Sequence, residues 1–164
     1  MNKRARRFLF PSLTLKTFLR IAAVALLAYL IFGHLLIPLR IKGSSMEPTY
    51  HSGGINFCWT LGYLFSGPVR HDVVLVRLAG KRVVLMKRVV AFEGESVAFR
   101  DGKLFVNGSM VVEPYVRYPC KWNLTPRRVK KGYIYVVGDN RSMTMEHHAF
   151  GQTPIERIVG VPLW

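Results

Sequence analysis

The chain has 164 residues, half of them hydrophobic, enough for one domain with a real core plus a short appendage, which excludes disorder as its main state. Twenty-four lysines and arginines against nine acidic residues give a net charge of +15, a balance that favours anionic partners such as lipid headgroups or nucleic acid. Cys58 and Cys120 match no metal-ligand spacing and leave open either a disulfide or two free thiols.

Lys3, Arg4, Arg6, Arg7, Lys16 and Arg20 precede the uncharged run IAAVALLAYLIFGHLLIPL at 21–39. A helix needs about 20 apolar residues to cross the bilayer core, so this run reads as a transmembrane anchor. A cleaved signal peptide has a shorter apolar region of about 7–15 residues ending at small residues, whereas here Pro38-Leu39-Arg40 follows a longer run. Only Arg40 and Lys42 follow closely. The positive-inside rule therefore puts residues 1–20 in the cytoplasm and residues 40–164 on the other side of the membrane. His34, alone within the run, reads as a tolerated polar residue rather than a proton relay.

Next comes IKGSSMEPTY at 41–50, a small, polar, turn-prone patch holding two adjacent serines. FCWTLGYLF at 57–65 is apolar but too short to span, and fits either a core strand or a surface dipping into the membrane. Beyond it the period is two: HDVVLVRL (71–78), KRVVLMKRVV (81–90), SVAFRD (96–101), KLFVNG (103–108) and GYIYVVGDN (132–140) are β-branched and aromatic runs bounded by Gly, Asn, Asp and Pro. Arg100-Asp101-Gly102-Lys103 and Asn107-Gly108 predict tight hairpin turns. No amphipathic helix is evident after residue 42, so the expected fold is mostly β, an antiparallel sheet domain behind one transmembrane helix.

A serine hydroxyl attacks only when a base takes its proton. His34, His51, His71, His147 and His148, with Asp72 or Asp139, offer the parts of a Ser-His-Asp triad, but no G-x-S-x-G elbow supports one. The pair His147-His148 is an equally weak metal signal, because strand neighbours face opposite ways. A buried lysine is the other option, since desolvation disfavours its ammonium form. In VVLMKRVV, Val83, Leu85, Lys87 and Val89 share one strand face, and Val84, Met86, Arg88 and Val90 the other. Arginine stays charged, so only Lys87 can become a neutral base and Arg88 must be paired or exposed. Periodicity alone also fits an edge strand with two solvated cations.

The order of the segments resembles that of the type I signal peptidases, membrane proteases with a Ser-Lys dyad. Their S-M-x-P-T box is similar to Ser45-Met46-Glu47-Pro48-Thr49, and their R-G-D-V-V box to Arg70-His71-Asp72-Val73-Val74. K-R-V-V-G-x-P-G-D resembles residues 87–95. The D-G-x-x-x-x-N-G hairpin corresponds to residues 101–108, and E-P-Y to Glu113-Pro114-Tyr115. G-D-N-R-x-x-S-x-D-S-R-x-x-G is matched at Gly138-Asp139-Asn140-Arg141 and again at Gly151. The resemblance implies an extracytoplasmic β-rich protease domain with Ser45 as nucleophile, Lys87 as general base, and the Ser45 backbone N–H as an oxyanion donor.

Further roles follow from the same resemblance. Some members have a second oxyanion hydroxyl where this chain has Gly43. Thr144 stands where the family serine orients the lysine. Glu146 and His148 replace an Asp-Arg pair, giving a link that depends on histidine protonation. Asp139, Asn140, Arg141, Glu146 and His148 are expected to be structural, and Met46 to wall the substrate pocket. No cofactor or metal is implied. The expected partners are preprotein signal peptides and anionic lipid at a bacterial plasma membrane, not nucleic acid, because the anchor and the absence of a helix-turn-helix pattern oppose DNA binding. Two other readings use the same residues or fewer: a pilus-subunit maturation peptidase of the family, and an inactive anchored binding module.

Overall fold

The computed structural model describes residues 14–78, 84–118, 120–147 and 150–164. Helix α1 spans Leu15–Leu30 and continues as one π-helical turn, Ile31–Leu35. Thr14 caps its start by accepting from the Thr17 N–H. None of its residues is buried against protein, and the 21 residues Leu15–Leu35 are long and apolar enough to cross a membrane.

The apolar run read as 21–39 is not one helix. The helix begins earlier, at Leu15, and Leu36–Arg40 leave it to form strand β1, paired antiparallel with β2 (Ile55–Trp59) from Leu36↔Trp59 to Arg40↔Ile55. Pro38 explains the break: it cannot donate to a helix ladder, and it pushes the preceding residue into extended conformation.

The other strands are β3 (Val73–Arg77), β4 (Val84–Phe92), β5 (Ser96–Arg100), β6 (Lys103–Val106), β7 (Ser109–Met110), β8 (Leu124–Arg128), β9 (Tyr133–Val137), β10 (Gly151–Pro154) and β11 (Ile158–Pro162). They build a seven-stranded sheet, β1-β2-β11-β3-β4-β9-β10, and a four-stranded sheet, β7-β6-β5-β8. Every pairing is antiparallel, and after α1 the only helices among the described residues are single 3-10 turns at Met145–His147 and Ile155–Arg157. Both predicted hairpins are present. Asp101 and Gly102 (φ 47° and 76°) and Asn107 and Gly108 (φ 52° and 81°) take the left-handed pairs that two-residue turns require.

Apolar side chains collect in three clusters. The largest lies between the sheets and joins Val90, Tyr135 and Val137 to Phe99, Leu104, Trp122 and Leu124. A second gathers Val74, Val76, Val89, Ile134 and Val136 on the Lys87 face of the large sheet. The third holds Met46, Cys58, Leu75 and Met86 beneath the serine loop. Cys58 and Cys120 are both free thiols, which closes the disulfide question. In the 57–65 segment Phe57–Trp59 belong to β2, as the strand reading expects, while Leu64 and the 97%-exposed Phe65 project from the turn that follows.

Candidate active site

Strand β4 sits between β3 and β9, and it brings Lys87 and Arg88 into the interior on opposite faces. Lys87 is 2% exposed, and its Nζ lies 2.6 Å from the Oγ of Ser45. Burial pushes the lysine well down, against the opposing pull of the Asp139 carboxylate, to a pKa of about 8. The edge-strand reading with two solvated cations is therefore excluded. Of the histidines offered for a triad, His71 is engaged elsewhere, with Nδ1 3.1 Å from the Tyr115 hydroxyl.

Ser45 stands in the turn between β1 and β2. The turn is closed at its base by Ile41 N–H to the Gly54 carbonyl and Gly53 N–H to the Ile41 carbonyl, and within by Tyr50 N–H to the Met46 carbonyl. Gly43 adopts φ +90°, a conformation open to glycine and strained for other residues, and donates its N–H to Ser52 Oγ at 3.2 Å. Met46 is 2% exposed and sits in the third core cluster. It plugs the loop onto the domain instead of walling an open pocket, which changes the role expected of it.

The segment Gly138–Arg141 clamps this loop from the far side. Asp139 accepts from Thr49 Oγ1 at 2.6 Å and from Arg88 Nε and Nη2 at 2.8 and 2.5 Å. Asn140 donates from its backbone N–H to the Ser45 carbonyl and from Nδ2 to the Ser44 carbonyl, both at 3.0 Å. Arg141 is 0% exposed; it donates to both carboxylate oxygens of Glu113, at 2.9 and 2.5 Å, and from Nε to the Gly138 carbonyl. Tyr115 joins the two ion pairs: its hydroxyl donates to Glu113, and its ring lies 4.0 Å beneath the Arg88 guanidinium.

A buried lysine in contact with a loop serine, clamped by this acid-and-arginine network, coincides with a family match over the same residues. The model describing signal peptidases, peptidase S26, matches residues 14–163. The chain belongs to this signal peptidase family. It is 33% identical over 158 residues to signal peptidase I of Bacillus caldolyticus, covering 87% of this chain and 84% of that one. It is 37% identical over 134 residues to the chloroplastic thylakoidal processing peptidase 1 of Arabidopsis thaliana, covering 75% of this chain but only 39% of that longer protein. Among solved structures, a signal peptidase I from Enterococcus faecalis aligns with 58% of this chain and 97% of its own, at 24% identity and a TM-score of 0.49.

The other signal peptidase positions fall as follows. Thr144 is exposed, in the stretch 142–146 that lines a cavity of about 510 Å3 with Trp122 and Arg141. Glu146 is exposed in the 3-10 turn, and its expected partner His148 lies outside the described residues. The sequence assigns no role to Glu113 or Tyr115 although the E-P-Y box is visible; the arginine of the next box, Arg141, is the signal that points to an acid partner. Glu95, standing at the family aspartate, takes Arg70 at 2.6 Å and the Phe92 N–H at 2.7 Å. His71 stands where the box has glycine and adopts φ 75°, a left-handed conformation that glycine takes without strain.

Proposed function

We propose that the chain is a membrane-anchored signal peptidase I, a serine endopeptidase that removes signal peptides from exported preproteins. The observation that carries this is the 2.6 Å contact between Lys87 Nζ and Ser45 Oγ, made by a lysine whose pKa lies near 8. As a neutral amine Lys87 accepts the Ser45 proton while Oγ attacks the scissile carbonyl. The Ser45 N–H then meets the developing oxyanion. The Lys87 ammonium gives its proton to the leaving amine and is neutral again; it then takes a proton from a water, which hydrolyses the acyl-enzyme, and returns that proton to Ser45 Oγ as the acyl group departs. No cofactor enters these steps.

Substrate recognition is supported by a gap in the sheet. Strand β9 joins β4 only from Arg88 onward, so on that side the edge of Val84–Lys87 pairs with no strand among the described residues. An extended peptide can add there as a strand, which brings its carbonyl to Ser45. The helix 15–35 anchors the enzyme with its basic N-terminus in the cytoplasm and the β domain outside, at a bacterial plasma membrane. Exposed Leu64, Phe65 and Trp164, together with the basic surface, then meet anionic lipid. The relatives named above lend support to neither a pilus-maturation enzyme nor an inactive module.

The test is cleavage of a preprotein carrying an A-x-A site by the full-length protein and by Ser45→Ala, Ser44→Ala and Lys87→Ala. Loss in the first and third with activity kept in the second is expected. Full activity in Ser45→Ala removes it as nucleophile.

A further inference from the structure

The peptide unit that joins Ser44 to Ser45 has two ends with different fates. At one end the Ser45 N–H donates to no acceptor among the described residues, which leaves it free for an oxyanion. At the other end the Ser44 carbonyl accepts twice, from Glu47 N–H at 3.1 Å and from Asn140 Nδ2 at 3.0 Å. Asn140 also holds the following peptide, through its own N–H to the Ser45 carbonyl at 3.0 Å.

Asn140 is 6% exposed, and its amide has one possible orientation. Oδ1 accepts from the Ser142 N–H at 3.2 Å and from the Ser142 hydroxyl at 2.6 Å, while Nδ2 faces a carbonyl oxygen. A backbone N–H can only donate and a carbonyl can only accept, so the two sides of the amide cannot be exchanged. Every polar group of Asn140 other than its own carbonyl thus either touches the two peptides around the nucleophile or is oriented for that contact.

We infer that Asn140 is a positioning residue for the oxyanion site, acting through the Ser44–Ser45 peptide unit. This rests on Ser45 being the nucleophile. A hydrogen bond to the carbonyl oxygen fixes the peptide plane, so the N–H is aimed before charge develops and needs no reorganisation when it does. It also draws electron density toward oxygen and makes the N–H at the other end a stronger donor, by roughly 10–30% per bond in a polarised chain. The effect matters more here because Gly43 supplies no side-chain hydroxyl two residues before the nucleophile.

A residue that merely held the loop together would serve the substrate complex and the tetrahedral state alike. A positioning residue serves the second alone. The full-length enzyme in detergent micelles is compared with Asn140→Asp, which keeps the size but cannot donate to the Ser44 carbonyl, with Asn140→Ala, and with Ser142→Ala, which removes the hydroxyl contact to Oδ1 and leaves only the Ser142 N–H to hold it. Removing an oxyanion donor costs about 100- to 1,000-fold in kcat, so losing its support is expected to cost about 10- to 100-fold in both Asn140 variants and about 3-fold in Ser142→Ala, with KM within about 2-fold. Affinity for a peptide boronate, which forms a tetrahedral anionic adduct on the serine, falls by the same factor as kcat.

Unchanged kcat in Asn140→Ala and Ser142→Ala overturns the inference, as does a matched loss of substrate and boronate affinity. If the boronate forms no adduct with Ser45 in the unmodified enzyme, the nucleophile assignment itself fails. A labelled Ser45 with boronate affinity indifferent to Asn140 sinks this inference alone.

Discussion

Arg88 holds both carboxylate oxygens of Asp139, Nε to Oδ1 at 2.8 Å and Nη2 to Oδ2 at 2.5 Å, with the carboxylate wholly removed from solvent. Arg88 also donates to the His71 carbonyl at 2.7 Å. Breaking a buried pair leaves a charge without its partner, which costs about 3–5 kcal/mol. Asp139→Ala is therefore expected to lose that much in chemical denaturation. A loss below about 1 kcal/mol would show that water reaches Arg88 in the native state.

Activity should follow the charge on Lys87. Burial lowers its pKa to about 8, and only the neutral amine takes the serine proton. At one pH unit below that pKa only about a tenth of the lysine is neutral, so kcat/KM is expected to climb about tenfold between pH 6 and 7 and to level off above about pH 9. Lys87→Arg, a cation that cannot give up its proton, should be inactive throughout. A flat pH–rate profile would falsify the lysine base.

Asp139 also acts on Lys87 at a distance, since its negative charge favours the ammonium and raises the lysine pKa against the effect of burial. Asp139→Asn removes that charge, so the midpoint of the pH–rate profile should move toward acid. A midpoint that stays fixed or moves to alkali contradicts the coupling.

Glu113 carries the second buried pair, with Arg141 at 0% exposure and Tyr115 donating to the same carboxylate. Glu113→Gln keeps the shape but strips the charge, and a loss of about 3 kcal/mol is expected from an uncompensated buried guanidinium. Its readout is the urea midpoint. Arg141→Met, which removes the charge and fills the space, should recover part of the loss in a Glu113→Gln background; if it does not, the charge is not the cause.

At Gly43 the limit is conformational. A Cβ there would meet nothing within 4 Å, yet φ is +90°. Gly43→Ala should cost about 1–2 kcal/mol of stability through backbone strain rather than through a clash. No measurable change in melting temperature would mean that the loop relaxes to another conformation.

The strands that could be read in advance were those with β-branched alternation, since period two survives in any context. Those that could not, β8 (LTPRR), β10 (GQTP) and β11 (IVGVP), carry prolines, glycines or charges in place of a pattern, and they are strands because neighbours pair with them. The same holds for β1, whose apolar residues continue the membrane run without a change in hydropathy; only the partner β2 separates it from the helix. Glu113 was hard to assign for a different reason: an acid in a loop looks solvated until Arg141, 28 residues later, is brought against it.

By itself the sequence determined which groups were available: one lysine in an apolar strand able to shed its proton, a serine in a turn after a membrane run, and an acid-and-arginine box far along the chain. Chemical identity and short-range periodicity are local properties, so they can be read one residue at a time. Only the tertiary structure decided that Lys87 is dry, that its Nζ reaches Ser45 across 42 positions, and that Arg88 faces Asp139 instead of water. Burial and charge pairing depend on what the rest of the chain places alongside, and those two factors set the proton affinity of Lys87.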